Sequence, residues 1–226
     1  MPSGGYFTSM NKVRPGAYIN VYTVARTQDN NANDGAVAVG ATLGWGPEDG
    51  VVRITQEDLV SNDTMLRLTG FGRTAPENLP IRLALANVNQ GYFFHNNTGG
   101  VKANGTATDI AVTGTAKYPG VVGNELSVKY VDAEKKLSIF LGAMEIETFS
   151  LSQEDAVTGD ILTGLISEWI VFSSEVPTIT ADFEFKLENG TNGTERTTYT
   201  DILKALDYIQ WDSLAIDSTE DGVADS

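Results

Sequence analysis

Clusters of glycine, asparagine and threonine interrupt this chain at short spacing, and the apolar runs between them are brief. Of the 226 residues, 23 are glycine, too many for an architecture of long helices. Punctuation of this kind selects many short strands joined by tight turns. Hydrophobic residues make up 41% and charged residues 20%, which places the chain in the globular class rather than the disordered one. Its length allows one large domain or two small ones with a real core.

Residues 3–11 are small and polar with two aromatics, Tyr6 and Phe7, and read as an extended arm. After Pro15-Gly16, residues 17–22 combine β-formers on both faces, Ala17/Ile19/Val21 and Tyr18/Asn20/Tyr22. Residues 28–35 are a loop, and residues 36–43 form a small apolar run suited to a buried strand, ending in Gly44-Trp45-Gly46-Pro47. Val51 to Ile54 is a short strand leading to Thr55, an N-cap for a helix with Glu57 and Asp58 in its first turn. Pro80 can open a second helix with Ile81, Ala84, Leu85 and Val88 on one face, and Gly91 suits its left-handed end. Tyr92-Phe93-Phe94 comes next as a strand, giving α/β character.

From Asn96 the pattern changes. Residues 96–100 read as a linker, and the stretch from there to about Phe185 is mostly β. Leu126/Val128/Tyr130 alternate with Ser127/Lys129/Val131, and Gly142-Ala143 is a two-residue hairpin turn between two strands. Ile161, Leu162, Leu165 and Ile166 suggest one short helix, and residues 169–172 another strand. The α/β pattern then returns. Thr198 can cap a helix with Asp201 at the third position and Tyr199, Ile202, Leu203 and Leu206 on its apolar stripe. Residues 213–216 are a strand after which a returning helix would be expected.

Several function classes are disfavoured. A net charge of -15 repels phosphate backbones, and Lys135-Lys136 is the only adjacent basic pair. The chain has no cysteine, so disulfides, thiolate metal sites and cysteine nucleophiles are excluded. No run could span a bilayer as a helix, and residues 1–5 lack a signal-peptide pattern. Asn-x-Thr triplets begin at Asn62, Asn96, Asn104, Asn189 and Asn192, and these asparagines read as turn residues. His95, the single histidine, has no nucleophile elbow to serve and reads as structural. A calcium loop starting at Asp29 fails, because Asp34 and Gly40 stand where glycine and glutamate are required. Gly190 to Thr194 lacks the lysine of a phosphate loop. The pairs Glu57-Asp58 and Glu154-Asp155 read as solvated surface. No cofactor is called for.

Four segments, in order, carry a resemblance. They are residues 11–19 (NKVRPGAYI), Gly44-Trp45-Gly46-Pro47 with the strand after it, residues 116–130 (AKYPGVVGNELSVKY), and residues 189–194 (NGTNGT) with the helix after them. Together these resemble the contractile tail sheath proteins of Firmicutes myophages and phage-like particles. The family-like turn residues are Trp45, Gly46, Pro47, Tyr118, Pro119, Gly120, Gly123, Asn124, Asn192, Gly193 and Thr194.

The resemblance implies a multi-domain α+β or α/β chain. Residues 1–22 would be an extended N-terminal arm. Residues 23–96 and 190–226 would form an α/β sheath domain whose C-terminal part is missing. Residues 97–189 would be an inserted outer domain, an antiparallel β-sandwich or barrel. The function implied is structural rather than enzymatic: sheath subunits stack in rings, contract, and drive a tube through the host envelope. Arm residues Tyr6, Phe7, Val13, Pro15, Gly16, Tyr18, Ile19 and Val21 would link subunits by adding a strand to a neighbour's sheet. The implied partners are other sheath subunits, the tail tube protein, the baseplate and the tail terminator, with no nucleic acid and no membrane insertion. The implied location is the virion tail, assembled in the host bacterial cytoplasm. The alternative is a carbohydrate- or surface-binding β module using Tyr118, Tyr130 and Trp169.

Overall fold

The computed structural model describes residues 35–151 and 156–216. The arm, the strand expected over residues 17–22, the loop before Gly35, Glu154-Asp155 and the segment from Asp217 lie outside the described residues. In chain order the first elements are β1 (Ala36–Ala41), β2 (Val51–Thr55), α1 (Gln56–Val60), α2 (Asn62–Thr69), α3 (Leu79–Ala84) and β3 (Gln90–His95). Next come β4 (Asn97–Thr98), β5 (Asn104–Ala107), β6 (Val112–Ala116), β7 (Leu126–Val131), β8 (Lys136–Leu141) and β9 (Met144–Ser150). The last are α4 (Gly159–Thr163), β10 (Ile170–Ser174), β11 (Phe183–Lys186), β12 (Thr194–Glu195), α5 (Thr200–Leu206) and β13 (Ser213–Ile216).

The first sheet has the order β13-β1-β3-β2, parallel except for β2, which runs antiparallel to β3. β1 is buried along its whole length, as a central parallel strand covered on both faces must be. Its Val37, Val39 and Ala41 pack with Ile54, Met65, Ile81, Leu85 and Phe93. On the opposite face Ala38 and Phe94 pack with Tyr199, Ile202 and Leu206, so α5 covers that side. Thr55 caps α1 through a reciprocal box with Asp58, which accepts from the Thr55 backbone N–H at 2.8 Å.

Seven of the remaining strands form a three-stranded sheet, β10-β6-β5, and a four-stranded sheet, β11-β7-β8-β9, both antiparallel. The two sheets adjoin at β5 and β11, where Asn104 and Glu188 exchange backbone hydrogen bonds of 2.9 Å in both directions. A Cβ on Gly105 would sit 2.3 Å from the Lys186 carbonyl oxygen, so only glycine permits this approach. One hydrophobic cluster draws on both sheets, including Val112, Ile170, Phe172, Val128, Tyr130, Ile139 and Phe185. Gly142 takes φ +58° in the β8–β9 turn, as the hairpin reading expects.

Four local expectations are corrected. Gly91 does not end a helix. α3 tightens into a 3₁₀ turn at Leu85–Asn87, and Gly91 lies inside β3, where a Cβ would meet Leu85 at 2.9 Å. Thr198 does not cap α5, which starts at Thr200 with no side-chain cap, and Leu203 is exposed. The helix at 161–166 stops at Thr163, leaving Ile166 in solvent. The segment after Asn96 is not a linker. β4 pairs antiparallel with β12, Thr98 opposite Thr194 and Asn97 opposite Glu195, making a two-stranded neck.

Phe93 stands in the middle of the first sheet and is fully buried. Phe93→Ala should lower unfolding free energy by about 3–5 kcal/mol in urea titrations, against less than ~0.5 kcal/mol for the exposed Lys186→Ala. Equal effects would show that this face is not the core described.

Candidate functional site at the sheet–insert junction

The loop that leaves β1 carries Trp45, whose side chain is completely buried. Although Trp45 comes directly after β1 in sequence, its ring belongs to the hydrophobic cluster of the β-rich insert. It stacks on Trp169 at 5.0 Å between centroids and meets Tyr118 edge-on at 5.4 Å. Its indole N–H donates to the Arg67 carbonyl of α2 at 3.2 Å, so the polar atom is satisfied within the apolar setting. Gly70, at the left-handed end of α2, leaves room for this ring: a Cβ there would lie 2.6 Å from the Trp45 Cβ.

The insert answers with glycine turns. Gly120 has φ +128°, and a Cβ on it would fall 2.1 Å from the Gly44 carbonyl oxygen. That carbonyl accepts from the Val122 N–H at 3.1 Å. Gly123 packs against Ala103 and Ala116, and a Cβ on it would lie 2.9 Å from the Ala103 Cβ. Asn192 accepts from the Val121 N–H at 2.9 Å, and Asn124 both accepts from the Gly190 N–H (2.7 Å) and donates to its carbonyl (2.9 Å). Gly193, at φ +74°, lies against Thr98, Gly99 and Gly100. Thr194 pairs with Thr98 in the neck.

A buried arginine completes the junction. Arg196 donates to the His95 carbonyl at 3.1 Å, to the Glu48 carbonyl at 2.6 Å and to the Asp49 carboxylate at 2.8 Å. It thus ties the returning strand to both β3 and the Trp45 loop. The Gly99 N–H donates to Glu48, and Thr42 donates to Asn97 at 3.0 Å. His95 is 5% exposed, packs edge-on to Phe93, and its Nε2 has no hydrogen-bond partner. Burial depresses its basicity and the Arg196 charge adds to that. The carbonyls of Trp45 and Leu43 and the Glu48 carboxylate act in the opposite direction.

The structure therefore brings Trp45, Gly46, Tyr118, Pro119, Gly120, Gly123, Asn124, Asn192, Gly193 and Thr194 to one seam, while Pro47 packs beside it against Gly50. The arm residues from Tyr6 to Val21 lie outside the described residues. Arg196, Glu48 and Trp169 complete the seam without having been marked as parts of it. A lone arginine and a strand-end tryptophan have no local signature. Tyr130 and Trp169 are core residues and Tyr118 is half-buried against Trp45, so none offers a free aromatic platform. Among the described residues no group of three or more histidine or carboxylate side chains could hold a metal, and no helix is long and apolar enough to cross a membrane. What these groups can do is hold two substructures in one fixed relation.

Gly120→Ala and Gly142→Ala separate the junction from ordinary turns. Both replace a positive-φ glycine, but nothing lies within 4 Å of a Cβ on Gly142. Gly142→Ala should cost about 1–2 kcal/mol in thermal or urea unfolding, from backbone strain alone. Gly120→Ala should cost at least twice that, because the Gly44 carbonyl must move. Similar losses would mean the contact is slack.

No protein-family model matches the chain. In sequence it is similar to the phage-like element PBSX protein XkdK of Bacillus subtilis, 25% identical over 238 residues, a match covering 97% of this chain and 49% of the relative. The chain thus spans about half the length of that curated relative. Two solved structures share the fold. The sheath tail protein of Desulfitobacterium hafniense gives a TM-score of 0.69 at 22% identity, over 93% of this chain and 47% of that one. The sheath tail protein of Listeria innocua gives 0.66 at 22% identity, over 85% and 42%. The resemblance to Firmicutes tail sheath proteins, first carried by scattered turn motifs, holds for the mixed α+β fold along most of the chain.

Proposed function

We propose that this chain is a structural part of a phage or phage-like tail sheath. The observation that carries the reading is the extent of the likeness: 97% of the chain in sequence and 93% in fold, rather than one shared motif. On this reading subunits stack in rings around a tail tube, held between baseplate and tail terminator, and contraction drives the tube through the host envelope. The particle would be built in the bacterial cytoplasm, and the protein would work without catalysis or cofactor. Residues 1–22 would link subunits by lending a strand to a neighbour's sheet. β2 and β13 are the outer strands of the first sheet among the described residues, and they supply the backbone edges such a strand needs. Residues 97–189 would face outward on the neck, with residues 23–96 and 190–226 forming the ring. The junction would then make the insert move with the body it is mounted on.

Negative-stain electron microscopy of the purified full-length protein tests this. Ring stacks or hollow tubes are expected, and deletion of residues 2–22 should abolish them while leaving circular dichroism unchanged. Dispersed monomers under conditions that assemble other sheath proteins would contradict the structural role. Unchanged tubes after the deletion would contradict the arm's part in it.

A further inference from the structure

His95 is the one buried imidazole in the protein, and it sits at the crossing point of the junction. Its ring lies against the Trp45 loop: a Cβ on Gly46 would be 2.7 Å from Nε2. The space around it is closed by Leu43, Glu48, Asn97, Pro119 and Asn192, which come from the loop, the neck and the insert. A proton added at Nε2 would place a second cation beside the buried Arg196, at a nitrogen that makes no hydrogen bond in the closed junction. The charged groups that face the ring are Arg196 from the returning strand and Glu48 from the loop. Asp49, on the same loop, is already engaged by Arg196. Asn97, Pro119 and Asn192 bring no charge. Glu48 is the one charge facing the ring that favours the new cation, beside the Trp45 and Leu43 carbonyls, and its carboxylate is already an acceptor for the Gly99 N–H.

We propose that the junction is an acid-sensitive latch, in which protonation of His95 opens the seam between the Trp45 loop and the β-rich insert. The direction is set by linkage. A hydrated imidazole, as in the opened junction, takes up its proton around pH 6.5. The buried ring does so only at lower pH. Between those two values the open form binds more protons than the closed one, so closure weakens as pH falls through that window and levels off below it. Asp132 and Glu145 are held below their ordinary carboxyl range, the first chiefly by a hydrogen bond from Lys135 and the second by one from Thr148. Their contributions are lost only at more acidic pH, which leaves the histidine window separate.

Because the chain has a single histidine, its ring signal needs no assignment. In this 226-residue chain labelled at histidine, the ring should titrate below pH 6.5. Amides of residues 97–101 and 191–196, corrected for intrinsic rate, should exchange severalfold faster at pH 5 than at pH 7. The near-ultraviolet dichroism of the Trp45–Trp169 pair should fall with the histidine's own midpoint. His95→Leu should remove this pH dependence. If that variant does not fold, the wild-type titration decides alone. A ring that titrates at or above pH 6.5, or junction amides and tryptophan signal that stay constant through its titration, would overturn the latch.

Discussion

The burial of one side chain, Trp45, sets most of what the rest of the molecule can do. It is anchored by its backbone just past β1 and by its indole N–H to α2, yet its ring is packed among the aromatics of the insert. Truncating a buried tryptophan costs about 3–5 kcal/mol, and each favourable aromatic pair adds about 0.5–1.5 kcal/mol beyond buried area. Those magnitudes are a large share of the stability of any one domain. The sheet and the insert are therefore coupled through a shared core, not merely through the covalent neck.

Two chain crossings of this kind expose many backbone amides and carbonyls, and each must be paired if it is buried. The neck pairs some in its short ribbon, the glycine turns present others to Asn124 and Asn192, and Arg196 takes up two carbonyls. Lysine at position 196 could not reproduce that fork. Glycine recurs here because backbone meets backbone, as at Gly44 and Gly120, and no side chain fits between. The same crowding leaves His95 buried and without a hydrogen-bond partner at Nε2. For a part proposed to transmit motion, such a seam offers stiffness and a single weak point.

Much of this was legible in the residues themselves. The alternation of Leu126, Val128 and Tyr130, the apolar run of β1, the Thr55 cap and the Gly142 turn are local patterns that survived into the structure. Gly91 and Thr198 misled because local rules gave way to packing: the space under α3 demanded a glycine in a strand, and α5 started where Tyr199 could bury. The turn motifs could be marked but not assembled, since what joins Trp45 to Trp169 or Asn192 to Val121 is long-range. Arg196 was silent because an isolated charge reads as surface until its carbonyl partners are brought to it. The arm's residues fall outside the described part of the chain.

Whether Trp45 unites the sheet and the insert can be read directly by hydrogen exchange on the Trp45→Ala protein. If the shared core couples them, amides of the neck and of the loop around residues 42–50 should lose protection first and most. The paired interior of β7 and β8, which shares the cluster but not the ring pairs Trp45 makes with Tyr118 and Trp169, should keep its protection. Neck protection equal to that of the unmodified protein, or a uniform loss across every strand, would contradict the coupling.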